Sequence, residues 1–65
     1  MKVTYDRRTD TLTIELKSGS VATSDDRLEG VILDLSSAGE LLSIEILDAS
    51  TRVDSTSSVE LEVAA

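Results

Sequence analysis

The chain has no cysteine, histidine, proline, tryptophan or phenylalanine, and Tyr5 is its only aromatic residue. Without cysteine it can form no disulfide, hold no thiolate zinc site and offer no thiol nucleophile. Without histidine it lacks the side chain that ordinarily moves protons near neutral pH, so Ser-His-Asp chemistry is excluded. Aromatic side chains supply much of the area that small cores bury, and here that source is almost missing. No apolar run approaches the roughly 18 residues of a membrane span, and no membrane partner is expected. The opening Met1-Lys2-Val3-Thr4-Tyr5-Asp6 has no apolar centre of the kind a signal peptide carries. It reads as the first strand of a cytoplasmic protein.

What is present is a chain of 65 residues with 13 acidic and 6 basic side chains, a net charge of -7. The length suits one small domain, residues 1–65. The acidic balance argues against a phosphate backbone, which needs Lys and Arg to displace its counterions, so nucleic acid is not an expected partner. A folded chain of this mass should expose about 4,000 Å², against about 10,000 Å² unfolded. With so thin a core and no disulfide or metal to staple it, a homo-oligomer is expected, a dimer above all.

Two stretches alternate with the period of a half-buried strand. In Thr11-Leu12-Thr13-Ile14-Glu15-Leu16 the residues Leu12, Ile14 and Leu16 share a face, and in Leu42-Ser43-Ile44-Glu45-Ile46 so do Leu42, Ile44 and Ile46. Each follows a β-prone run ending in Asp, Val3-Thr4-Tyr5-Asp6 and Val31-Ile32-Leu33-Asp34. The links Arg7–Asp10 and Ser36–Gly39 are turn-like, and Gly39 can take the positive φ that ends such a loop. The chain thus reads as two similar antiparallel β-hairpins, a weak internal repeat in a mainly β, β-rich α+β fold. A four-residue loop at Ser36–Gly39 would keep Val31, Leu33 and Leu35 on the face of Leu42 and Ile44, whereas a three-residue loop with a bulge would reverse that parity. The apolar pattern favours the first, which sends Ile32 and Leu41 to the opposite face. Between the hairpins, Val21–Ser24 suits a short edge strand and Gly30 a hinge. Asp48–Val53 suits a turn or two of helix with Asp48 as N-cap. After the polar linker Asp54–Ser58, Val59-Glu60-Leu61-Glu62-Val63 alternates again and suits a C-terminal strand, at an edge or exchanged.

Tyr5-Asp6, Asp10 and Leu12-x-Ile14-x-Leu16 open a pattern that continues through Gly30-Val31-Ile32-Leu33-Asp34 and Ile44-Glu45-Ile46-Leu47-Asp48-Ala49-Ser50, with Arg52 close behind. Over about residues 1–53 this pattern resembles the small prokaryotic family called "domain of unknown function 2283". Arg7 stands where that family commonly has Pro, and Ser36-Ser37-Ala38 replaces a more acidic loop. The tail, residues 54–65, matches nothing in it. The resemblance implies a β-rich fold of paired hairpins with a short helix and no established enzymatic activity. It also implies a neighbourhood of small toxin-like proteins, and so an antitoxin or partner-neutralising role by analogy.

The charged residues have bland readings beside functional ones. Asp6 and Asp10 flank the first turn and suit turn chemistry, as does Asp34 before the second. Asp25, Asp26 and Glu29 form the densest acidic cluster, and their spacing matches no EF-hand. They suit a solvated loop or, as the sharper reading, a docking surface for a small basic protein. Residues 1–24 carry Lys2, Arg7, Arg8 and Lys17 against Asp6, Asp10 and Glu15, a net of +1, while residues 25–65 hold two Arg and ten acids, a net of -8. Glu15 and Glu45 fall on matching outward positions, where a carboxylate is ordinarily just solvated. No Gly-rich phosphate loop occurs, no cofactor is implied, and the chain is not expected to be an enzyme. Two functions follow. One is an interaction module, an antitoxin-like binder of a small basic protein. The other is a self-assembling structural domain using Ile32 and Leu41 as its oligomer face. Binding of a small ligand or a cation ranks below both.

Overall fold

The alternating segments form strands in the computed structural model, which describes the whole chain, Met1–Ala65. These are β1 (Lys2–Asp6), β2 (Thr11–Glu15), β3 (Thr23–Asp25), β4 (Val31–Leu35) and β5 (Leu41–Ile46), followed by one helical turn, α1 (Ala49–Arg52). They make one antiparallel sheet in the order β1-β2-β5-β4-β3. The fold is mainly β. Each hairpin forms locally, and the sheet closes where β2 pairs with β5, with Leu12 opposite Ile46 and Ile14 opposite Ile44.

The internal repeat becomes a pseudo-twofold axis. The shift that carries Val3 onto Leu33 also carries Ile14 onto Ile44, and both pairs face each other across their own hairpins. Ile14 and Ile44 are themselves partners, so the axis passes between them, normal to the sheet.

The turn of the second hairpin departs from the four-residue loop. The Ser36 N–H donates to the Glu40 carbonyl at 2.9 Å, and the Gly39 N–H donates to the Ser36 carbonyl at 3.0 Å. The loop is therefore the three residues Ser37–Gly39, with Gly39 at φ 81° supplying the left-handed residue this turn requires. A bulge in β5 opposite Asp34 and Leu35, with Leu42 as the extra residue, then shifts the register, pairing Leu35 with Leu41 but Asp34 with Ser43. Loop and bulge cancel, so Val31 and Leu33 still face Ile46 and Ile44. The bulge also corrects the expected oligomer face. Leu41 lies opposite Leu35, whose strand alternation groups it with Val31 and Leu33, so Ile32 and Leu41 do not share a face.

The helix is held from elsewhere. Asp48 stands at the N-cap position but is left-handed, at φ 52°, and makes no side-chain cap hydrogen bond. The first free N–H groups of α1 are taken by Asp10: Ala49 N–H donates to its carbonyl at 2.9 Å and Ser50 N–H to its carboxylate at 3.0 Å. A cap thus comes from the first hairpin turn. Ala49 is fully buried beneath this contact. At the other end the Arg52 guanidinium donates to the Glu29 carbonyl at 2.9 Å and lies over Gly30, where an added Cβ would come within 2.6 Å of it. The tail after Val53 forms no strand in its own chain, so the third alternating run, Val59–Val63, is not an edge strand of this sheet.

Candidate functional site

Strand pairing sorts the side chains into two faces. Val3, Tyr5, Leu12, Ile14, Val31, Leu33, Ile44 and Ile46 lie on one face, and the other carries Thr4, Thr13, Glu15, Ile32, Asp34, Ser43 and Glu45. Residues on a central strand with a second layer above them should be fully covered. Ile44 and Ile46 stand on the central strand, yet both are only half-buried, as are Ile14, Val31 and Leu33 around them. The tail segment Ser55–Val59 lies beside Val3, Tyr5 and Leu12 and covers part of this face. The whole chain exposes 5107 Å², roughly 1,100 Å² more than a folded monomer of this mass should. Part of that excess is the extended tail and part is the uncovered apolar face. This face is the candidate functional site.

On the opposite face an acid is buried. Asp34 is 6% exposed, and its carboxylate accepts the Ser24 hydroxyl at 2.8 Å and the Ser43 hydroxyl at 2.7 Å. Glu45 stands diagonally across from it on β5, on the same face. Burial pushes the Asp34 carboxyl up, but the hydrogen bonds from Glu45, Ser43 and Ser24 outweigh that and leave it below the usual carboxylate range. Glu45 moves the other way, raised by its hydrogen bond to Asp34, by burial and by the negative charge of Asp34. Asp34 is therefore no turn residue, and Glu45, unlike the exposed Glu15, is not simply solvated.

This pair sets a pH dependence. Glu45 is raised, so its contribution is complete below the ordinary glutamate value and is lost as pH rises through its folded pKa. Asp34 is lowered, so its contribution is present above the ordinary aspartate value and is lost as pH falls through its folded pKa. Stability should peak in mild acid and decline toward neutrality. Glu45→Gln keeps a donor for Asp34 without the charge, and thermal melts of this variant should show the decline flattened, with a higher midpoint at neutral pH. An unchanged acid-to-neutral slope would show that the pair does not set it.

Asp10 is the second hub. Its carboxylate accepts the Tyr5 hydroxyl at 2.7 Å and the Ser50 hydroxyl at 2.7 Å, besides the Ser50 N–H. The bond from Tyr5, then that from the Ser50 hydroxyl, holds the Asp10 carboxyl low, and the same contact raises the Tyr5 phenol. The residues that carry the family pattern thus meet at one end of the sheet: Tyr5, Asp10 and Ser50 on one side of α1, Gly30 and Arg52 on the other. Their contacts hold the helix to the sheet. Asp6 does the turn work expected of it, accepting the Arg8 N–H at 2.9 Å.

The acidic cluster does not come together as a site. Asp25 ends β3 and is engaged by Arg27, whose guanidinium approaches it at 2.6 Å and holds its carboxyl low. Asp26 and Glu29 are exposed, and Glu29 uses its backbone carbonyl, bound to Arg52. No group of three or more metal-ligating side chains is assembled anywhere in the chain. Sequence reading missed the Asp34–Glu45 pair. Its signal was an acid flanked on both sides by apolar residues within a strand run, Val31-Ile32-Leu33-Asp34-Leu35.

No helix is long and apolar enough to cross a membrane. Residues 2–50 match a family model described as "Protein of unknown function (DUF2283)". No curated protein and no solved structure matches the chain.

Proposed function

The chain belongs to the DUF2283 family, and we propose that it works in the cytoplasm as a non-enzymatic interaction module whose open apolar sheet face binds a second protein. The observation that supports this most is the half-buried state of Ile44 and Ile46 on the central strand of the sheet. A partner suited to this surface presents apolar side chains framed by basic ones, because an uncharged face lies within a chain of net charge -7. The antitoxin-like binding of a small basic protein is the finer form of this reading. Its contact is the apolar face, since the expected acidic cluster has Asp25 already engaged by Arg27.

Titration calorimetry against a small basic protein encoded beside this one tests the proposal. Micromolar binding that weakens about tenfold in Ile44→Thr supports it, the loss being that of part of one buried aliphatic side chain. Thr keeps the β-branch that suits a strand, and circular dichroism checks that the sheet persists. Absence of a complex at micromolar concentration counts against the reading.

The surface excess favours a second reading, self-assembly. A standard interface takes about 800 Å² from each partner, which the excess of roughly 1,100 Å² can supply.

A further inference from the structure

The segment Val59–Val63 alternates like a strand yet pairs with nothing in its own chain. Val59, Leu61 and Val63 are 68%, 77% and 87% exposed, and no backbone–backbone hydrogen bond involves residues 54–65. Its approach is ordered: Ser55–Val59 lie over Val3, Tyr5 and Leu12, on the apolar side of β1 and β2. The tail therefore leaves the molecule next to the β1 side of the sheet.

Two sheet edges are open, β1 and β3. They differ in length and charge. β3 has three residues and runs into Asp25 and Asp26, which would repel Glu60 and Glu62. β1 has five residues, as many as the alternating run Val59–Val63, and carries Lys2, with Arg7 and Arg8 just beyond it. Lys2, Arg7 and Arg8 make no ion pair in their own chain, and neither do Glu60 and Glu62.

We propose that Val59–Val63 of one copy adds as a sixth, antiparallel strand to the free β1 edge of a second copy, and that the exchange is reciprocal. The proposal rests on the self-assembly reading and names its contact. Residues facing each other in an antiparallel pair share a face. With Leu61 opposite Val3, Val59 falls opposite Tyr5, Glu62 opposite Lys2 and Glu60 opposite Thr4. The apolar face then continues onto the added strand, and the acids join the polar face beside the lysine. Main-chain hydrogen bonds give such strand addition its affinity, and the alternating side chains its register. Reciprocal exchange closes as a twofold dimer and leaves no β1 edge free to polymerise.

Two measurements on the full chain test this. Sedimentation equilibrium of the unaltered protein should show a dimer, and Leu61→Asp should raise its dissociation constant by about tenfold to a hundredfold. Leu61 is exposed in the single chain, so this variant keeps its sheet. The second is a disulfide trap with Thr4→Cys and Glu60→Cys in one chain. The chain has no cysteine of its own, so any disulfide formed is the engineered one. A reducible covalent dimer is the expected product. A covalent monomer would mean that the tail closes on its own edge, overturning the exchange. A dimer that forms no cross-link and ignores Leu61→Asp would overturn the exchange while leaving self-assembly through the apolar face intact. A monomer at every concentration would overturn both.

Discussion

Asp34→Ala should cost about 2–3 kcal/mol, most of what removing two charge-assisted hydrogen bonds at a buried carboxylate can cost. A domain of this length holds roughly 3–10 kcal/mol in total, so the loss takes a large share of it. The thermal midpoint should fall by about 10–20 °C. The damage is directional. Ser24 belongs to the three-residue edge strand β3, which has few other ties, and its hydroxyl loses its acceptor. Amide exchange should therefore quicken first in Thr23–Asp25 and only later in β2 and β5. Asp34→Asn keeps one acceptor oxygen and should cost less. It should also abolish the acid-side stability maximum, because the negative Asp34 carboxylate that raises Glu45 is then gone. If Asp34→Ala melts within a degree or two of the parent, the cluster contributes little and the sheet alone carries the fold.

Asp10→Ala should release α1 from the sheet. Four helical residues cannot persist unaided, and here the Asp10 carboxylate accepts both the N–H and the hydroxyl of Ser50. The backbone adds to the effect, since Asp10 is left-handed at φ 54°, which Asp tolerates better than Ala. The Ala49 carbonyl and the Asp10 carbonyl both anchor this corner, so the loss should spread to the Val53 amide. The expected result is a midpoint lowered by several degrees and rapid exchange at Ser50 and Val53. A second readout is specific to the contact. Tyr5 is the only aromatic residue, so its ionisation is read in the ultraviolet without interference. Losing Asp10 should return its raised phenol toward the ordinary value. Asp10→Asn keeps the left-handed backbone and one acceptor oxygen, so it should hold α1 while still lowering the Tyr5 pKa. An unmoved Tyr5 titration in Asp10→Ala would show that the hydroxyl has another partner.

Neither Asp10 nor Asp34 is placed as a reacting group. Each carboxylate is used by the fold, Asp10 as a remote helix cap and Asp34 as the acceptor that ties β3, β4 and β5 together. The family pattern, with its tyrosine, aspartates, glycine and arginine, is therefore accounted for by architecture at the helix end of the sheet. The proposed binding surface lies on the apolar face, where aliphatic residues leave no chemical signature in the sequence.

Local chemistry determined a good deal of this protein. A strand needs only its own alternation and a turn its own left-handed residue, so both hairpins, Gly39 and the Asp6 turn were legible from a few neighbouring residues. The matching designs of the two hairpins were legible too, and they reappear as the axis between Ile14 and Ile44. The absence of cysteine and histidine excluded thiol and imidazole chemistry with no structure at all. Tertiary structure decided whatever depends on partners distant in the chain. Which strands are neighbours, that Asp10 rather than Asp48 caps α1, and that Asp34 and Glu45 meet across β4 and β5 all rest on contacts between separate elements. The bulge at Leu42 likewise arises from fitting a three-residue turn to a register set by the rest of the sheet. The scarcity of aromatic residues takes on its full meaning only here: one sheet with one helical turn has too little bulk to cover its own apolar face, and that face stays half-buried.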